Sequence, residues 1–451
     1  MTEQRTPEQR APEQRTAGTR AAEPHPTGPQ TTEKAPAGRH LTRRRLLGTA
    51  GAGAGLVVGG AGGALGTTAL RDEPTAPASI GATGVGFRDG THQAGITTPQ
   101  QACGHLVAFD LAPGQGRGNA AALLSRWTSA AQDMINGRLV TNDDQIAYDA
   151  GPSSLTITFG FGRSLFTKTG LEAQAPAALA PLPAFSADAL DPARSNGDLW
   201  VQIGANDALV AFHALRVLHK TAGNAARVRW QMNGFNRTPG ATPEPMTSRN
   251  LMGQVDGTNN PKPTDADFDQ RIFVPAGGTA RSPQWMHGGS YAVVRRIRML
   301  LDSWDHLSRD QQEKVIGRRK SNGSPLSDGS QTSDGSETTP VDLDKRNAQG
   351  APAIAGDAHI RVAAPASNSG AAMLRRPFSY HDGIGADGTP DAGLLFVCWQ
   401  ADPQRGFIPV QRKLDRGDGL SRFLRHESSA LFAVPGAPGP GEYVGQRLLE
   451  W

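Results

Sequence analysis

The chain is 451 residues long, room for two to three domains, and its two Cys exclude a disulfide scaffold and any Cys-rich zinc or iron–sulfur site. Charged residues make up 20% and aromatics 6%, with 55 Gly and 33 Pro, the profile of a loop-rich chain that still buries a sizeable core. Of the net charge of +4, residues 1–78 contribute 10 Lys+Arg against 7 Asp+Glu, so the remainder is close to neutral and offers no basic body to nucleic acid.

Residues 1–41 repeat Glu-Gln-Arg at 3–5, 8–10 and 13–15 among Thr, Pro, Ala and Gly, with almost no large apolar side chain to bury. Disorder is the expected state there. Thr42-Arg43-Arg44-Arg45-Leu46-Leu47-Gly48 then opens an uncharged stretch to Leu70, in which nine of the 25 residues 46–70 are Gly. So much Gly makes a poor membrane helix. A basic cluster before a weakly apolar Gly/Ala stretch has instead the form of a twin-arginine export signal, with Ala76-Pro77-Ala78 as a small-x-small cleavage site. A retained signal anchor is the alternative. Residues 1–78 are therefore expected to be leader and signal, and the location exported, at the cell envelope or outside the cell, by way of the twin-arginine translocase. That route carries folded proteins, which favours an enzyme loaded with its cofactor before export.

In the mature chain, residues 103–111 read as a strand and 117–136 as a helix with Leu123, Leu124, Trp127 and Met134 at helical spacing. Residues 155–160 alternate as a half-buried strand. Residues 199–204 form a further strand, 207–219 a helix and 227–235 a strand. The second half repeats the rhythm more loosely: strand 290–301, helix 309–316, strand 393–400, helix 419–425 and strand 430–434. Strands mixed with helices without strict alternation predict an α+β fold of duplicated ferredoxin-like domains with antiparallel sheets. The boundaries are drawn at 79–245 and 246–451, and 321–339, with its Ser-Asp-Gly-Ser repeat, is expected as a solvated surface insertion. Cys103 and Cys398 lie in apolar stretches and are expected as buried free thiols.

No nucleophile elbow, phosphate loop or His-Glu-x-x-His appears, and no His or carboxylate triplet has zinc-ligand spacing. His105 reads as a hydrogen-bonded core residue, and His213 and His219 as ordinary partly buried histidines. What stands out is Asn250-Leu251-Met252-Gly253-Gln254-Val255-Asp256-Gly257-Thr258-Asn259-Asn260-Pro261. Gly253 and Gly257 allow sharp turns and close approach, with one carboxylate between them. Alone, Gly-x-x-Asp-Gly is most often a turn. Downstream lie Asp357-Ala358-His359-Ile360-Arg361, Met373-Leu374-Arg375-Arg376-Pro377-Phe378 and residues 391–400. His, carboxylate and Arg, each beside apolar segments, are the parts a haem peroxidase needs.

These blocks, in this order, resemble the dye-decolourising peroxidase family over some 350 residues from about Gly95, nearest to its exported, deferrochelatase-type subgroup. Gly253–Gly257 matches the family's Gly-x-x-Asp-Gly motif, continued by Asn259 and Pro261. His359 matches the proximal haem ligand, and Arg375 the distal arginine. The resemblance implies haem b held mainly by the C-terminal half, with His359 on iron and Asp256 and Arg375 catalytic. Gly257, Thr258, Asn259, His359, Arg361, Pro365 and Arg375 would contact the cofactor. It also implies hydrogen peroxide and a bulky organic electron donor as substrates, a ferryl intermediate, and room for a homo-oligomer. Trp399 and Tyr380 are candidates for relaying electrons, although core packing is the commoner role of such aromatics. Asp391, Asp415 and Glu427 are alternatives for the carboxylate that should accept from the second ring nitrogen of His359. Two departures stand out: Ala364-Pro365-Ala366 replaces Asn-Pro-Arg and so removes a cation for a haem propionate, and Pro377 replaces Gly after the arginine pair. The rival readings are a haem carrier or iron-release protein, and an accessory protein of an exported metal system.

Overall fold

The computed structural model describes residues 80–242, 247–329 and 335–450, so the leader expected over 1–78 lies outside the described residues. A short hairpin, β1 (Arg88–Asp89) and β2 (His92–Gln93), precedes β3 (Cys103–Leu111), α1 (Arg117–Ile135), β4 (Thr156–Phe161), α2 (Arg163–Thr169), β5 (Leu199–Ala205), α3 (Ala208–Ala222) and β6 (Ala226–Phe235). The second half runs through α4 (Phe268–Ile272), β7 (Ser290–Met299), α5 (Leu301–Asp305), α6 (Arg309–Ile316), α7 (His359–Ala363), β8 (Leu374–Arg375), β9 (Phe378–Ile384), β10 (Pro390–Gln400), α8 (Phe407–Gly417), β11 (Leu424–Val434) and α9 (Gln446–Leu449).

Local chemistry sets these boundaries. On α1 the expected apolar stripe is buried. At the start of α3, Asp207 accepts from the backbone N–H of Leu209 and Val210 at 2.8 and 3.1 Å, satisfying two donors the helix cannot. A capping box of Ser308 and Gln311 starts α6, and Gly317 ends it in the left-handed region.

Both halves carry the antiparallel sheet order expected of a ferredoxin-like fold: β4-β5-β3-β6 in the first and β9-β10-β7-β11 in the second. The two sheets are continuous. β11 pairs with β4 and β6 pairs with β9, so eight strands close into a ring. The seams are thin: a single register pair each, Ala433 with Phe161 and Phe235 with Ser379. Inside the ring Trp200 stacks on Phe432 at 5.3 Å and meets Trp399 at 5.9 Å. Trp399 and Tyr380 both belong to this buried core. Outside it, α1 and α3 cover the first half, while Ile297, Met299 and Leu394 on the second half pack towards Trp304, Leu420 and Phe423.

Two expectations are corrected. The helix predicted over 419–425 is only a turn of 3-10 helix at Ser421–Phe423, and the true helix is α8. Pro409 obscures α8 in the sequence, yet it sits in the first turn, where a missing N–H costs nothing. The second concerns 321–339. Its described residues include the buried Ser324 and Ser327, and Asn322 donates to the Gly335 carbonyl at 2.7 Å. Its later part continues into a cavity wall described below.

Candidate active site

A cavity of about 630 Å³ lies on the outer face of the second half, and among the described residues its lining begins at Asn250. The loop carrying Asp256 is built by its own polar groups. Asn250 Oδ1 accepts from Met252 N and Gln254 N at 3.0 and 3.3 Å, and Asp256 N donates to the Ser248 carbonyl at 2.9 Å. Gly253 and Gly257 have φ of 77° and 115°, and a Cβ on Gly253 would lie 2.6 Å from Lys320 Cε. Both glycines are therefore required by the backbone. Asp256 Oδ2 accepts from Asn250 Nδ2 at 3.2 Å, and Oδ1 lies 3.5 Å from Arg375 NH1.

Arg375 ends β8, opposite Cys398 of β10. Alternation along an extended chain sends Arg375 and Arg376 to opposite faces. Arg375 lines the cavity, whereas Arg376 is buried against the Ile96 and Pro99 carbonyls and Gln101 Oε1, at 3.1–3.2 Å. Burial lowers the Arg376 pKa to about 10. Asn260 grips Arg375 three times: Nδ2 donates to its carbonyl at 2.7 Å, and Oδ1 accepts from its N at 3.1 Å and its Nε at 3.2 Å. The motif reading passed over Asn260 for its neighbours.

His359 opens α7 and lines the cavity, with Nδ1 3.0 Å from Asp418 Oδ2. Asp418 is held in turn by Leu420 N at 3.1 Å and Ser421 Oγ at 3.3 Å. Burial works against the charged imidazole, but the charge and hydrogen bond of Asp418 outweigh it, so the His359 pKa is raised; Arg375 and Asp256 also act on it. The partner is thus none of the three expected carboxylates. Asp391 and Glu427 bind the Arg296 guanidinium at 2.9 and 2.6 Å, and Asp415 accepts from Ser186 Oγ at 2.6 Å. Asp418 lies 59 residues from His359, and no motif in the sequence singles it out.

Of the remaining expected contacts, Gly257, Thr258, Asn259 and Pro365 line the cavity. Arg361 does not, which corrects its expected place. Its Nε donates to the Ile354 and Ala355 carbonyls at 3.2 Å and its NH2 to Leu343 O at 2.5 Å, so the guanidinium fastens backbone. Thr338, Thr339, Pro340, Val341 and Leu343 also form cavity wall, so the end of the expected surface insertion closes the site. Glu337 anchors that wall by accepting from Thr247 Oγ1 at 2.7 Å. His426 and Arg295, unforeseen, line the cavity too. Burial, then Arg295, lowers the His426 pKa to about 3, which keeps the ring neutral.

These residues fit a haem. Ile297, Met299, Leu394 and Phe396 offer an apolar wall, and Asp418 fixes Nδ1 of His359 as the ring's donor, leaving Nε2 for iron. Arg318 lines the same cavity with its Nε buried and unpartnered, and burial and the Arg375 charge lower its pKa. An undercompensated cation there suits a propionate and answers the cation missing at Ala364-Pro365-Ala366.

Family models match both halves of the chain. Residues 93–236 match the N-terminal model of the Dyp-type peroxidases and 247–438 the C-terminal one. The chain belongs to the DyP-type peroxidase family. It is 46% identical over 369 residues to a dye-decolorizing peroxidase of Thermobifida fusca, covering 79% of this chain and 84% of the relative. It is 36% identical over 376 residues to a deferrochelatase of Escherichia coli K12, covering 80% and 86%. The solved DyP-type peroxidase of Streptomyces coelicolor superposes with a TM-score of 0.80 at 65% identity, covering 84% of this chain and 100% of that one. Ferric DtpA of Streptomyces lividans does so with a TM-score of 0.80 at 64% identity, again covering 84% and 100%. As a DyP-type peroxidase the chain is a haem enzyme that takes hydrogen peroxide and an electron donor.

Proposed function

We propose that this DyP-type peroxidase is exported and that it reduces hydrogen peroxide with electrons from bulky organic donors such as dyes or phenolics. The observation that carries the reading is the Asp256–Arg375 pair at 3.5 Å, in the cavity that also holds His359. A protein that only stores haem has no use for a proton acceptor beside a fixed cation.

His359 Nε2 would hold the iron and Arg318 a propionate. Haem, when bound, supplies the redox chemistry that splits peroxide. Asp256 Oδ1 takes the proton from one peroxide oxygen and delivers it to the other, directly or through a held water, while Asn250 keeps Oδ2 in place. Arg375 supplies positive charge where negative charge develops as the O–O bond breaks. The apolar part of the wall lowers the local dielectric, which strengthens the field of Arg375. A cavity of about 630 Å³ filled by a porphyrin leaves little room for a dye, which favours electron delivery from outside the pocket.

The test is turnover of the haem-loaded protein with peroxide and a panel of donors. Peroxide should change the haem absorption at once, and a dye or phenol should restore it while being bleached or coupled. An unaltered absorption spectrum after peroxide would sink the peroxidase reading. The deferrochelatase relatives favour a second reading, release of iron from haem. Metal-free porphyrin appearing in place of oxidised donor would decide for it.

Export rests on Arg43–Arg45 ahead of the Gly-rich stretch. Changing the three arginines to Lys should leave folded, haem-loaded protein inside the cell, read by fractionation and absorbance. Undiminished export of that variant would remove the twin-arginine assignment.

A further inference from the structure

We propose that Asn260 is a positioning residue that aims Arg375 and fixes its distance from Asp256. The proposal rests on Arg375 acting as the cation of the peroxide site. β8 is two residues long and pairs with β10. The Asn260 carboxamide bonds the Arg375 N–H and C=O as a neighbouring strand would. The third bond is of another kind. Oδ1 also accepts from Arg375 Nε at 3.2 Å, tying the side chain to the backbone already held. With Nε committed, the guanidinium is left to present its terminal nitrogens, and NH1 is the one 3.5 Å from Asp256.

Asn260 and Asp256 belong to one loop, and Asn260 N donates to the Gly257 carbonyl at 3.0 Å, closing the turn between them. Carboxylate and arginine therefore move as a unit. The clamp also works against a repulsion, because the Arg318 charge bears on Arg375 from the same cavity. Released at Nε, the long side chain would swing away from Arg318 and from the reacting atoms. A preorganised charge acts only where it is held.

Fluoride binding to the ferric haem protein tests this without turnover, since bound fluoride accepts hydrogen bonds from a cation beside the iron. Asn260→Ala should weaken fluoride about 10- to 100-fold at matched haem content, the usual effect of losing an orienting partner. In an Arg375→Leu background the same change should cost nothing further, because no Nε remains to be held. Asn260→Asp keeps Oδ1 as acceptor and should retain most of the affinity. Should Asn260→Ala fail to load haem, Asn260→Ser serves in its place, being too short to reach Nε while its backbone keeps the turn. Unchanged fluoride affinity in Asn260→Ala, or an equal loss in the Arg375→Leu background, overturns the proposal and leaves Asn260 as a backbone staple for β8. Unchanged affinity in Arg375→Leu alone instead overturns the assignment of Arg375 on which the proposal rests.

Discussion

Arg375→Leu is expected to slow the first reaction with peroxide by about 100- to 1000-fold at matched haem occupancy, the cost of removing a preorganised charge where charge develops, equivalent to about 2.7–4 kcal/mol. Among the described residues, the neighbouring arginines are committed elsewhere, Arg295 to Asp188. Arg376 is turned to the opposite face, and Arg318 donates from NH1 to the Gly323 carbonyl at 2.7 Å. Asp256→Ala should cost less, at or below the roughly 100- to 10000-fold span of acid–base catalysis, because an ordered water held by Asn250 and Arg375 can carry the proton. Stopped-flow absorbance on the two variants orders them. A larger effect in Asp256→Ala would make the carboxylate the main catalyst. No effect in either would reduce both to structural roles, with Asp256 only shaping its turn.

His359→Ala should lose most of its haem, or hold it with a spectrum lacking the imidazole signature, while His426→Ala should keep both. These are the two histidines among the described residues that line the cavity. They differ in their second nitrogen: His359 has Asp418 at 3.0 Å, whereas Nδ1 of His426 is buried without a partner. An iron-ligating imidazole is oriented and made more basic by a carboxylate on its other side, and only His359 has one. His287 and His381 are not among the residues lining the cavity. Haem content by absorbance after reconstitution reads the result, and normal content in His359→Ala would move the ligand elsewhere. Asp418→Asn offers an intermediate case, with haem retained but about 10- to 100-fold lower activity.

What the sequence made legible follows the range of the interactions involved. The first half, with α1 and α3 written in amphipathic spacing and β4 and β5 in short apolar runs, could be read locally. Asp256, His359 and Arg375 could be found because each sits in a contiguous block. What joins those blocks could not. The Asn260 grip spans 115 residues and the Asp418 bond 59, and neither follows from any local pattern. Asp391 and Glu427 were expected candidates where Asp418 was not, and strand register brings both to Arg296 instead. Arg361 misled for a related reason: beside the ligand histidine it was expected to contact the cofactor, but the 343–355 backbone reaches it first. The start of the wall at 338–343 was hidden by composition, since Thr338 and Thr339 close a Ser-, Thr- and Asp-rich stretch that reads as solvated until a neighbouring element packs on it.

Closure of the eight strands through two single-pair seams joins the two sheets into one ring. It also makes one thermodynamic system of two family domains. No described residue before Asn250 touches the cavity, yet β4 and β6 close the ring on which the cavity wall is built. A ligand that binds only the closed ring stabilises all of it, by about 2.7 kcal/mol at a hundred times its dissociation constant. By the same linkage, loosening β4, far in sequence from every cavity residue, weakens the hold on the cofactor. Substitutions in the first half should therefore act as affinity variants at a distance.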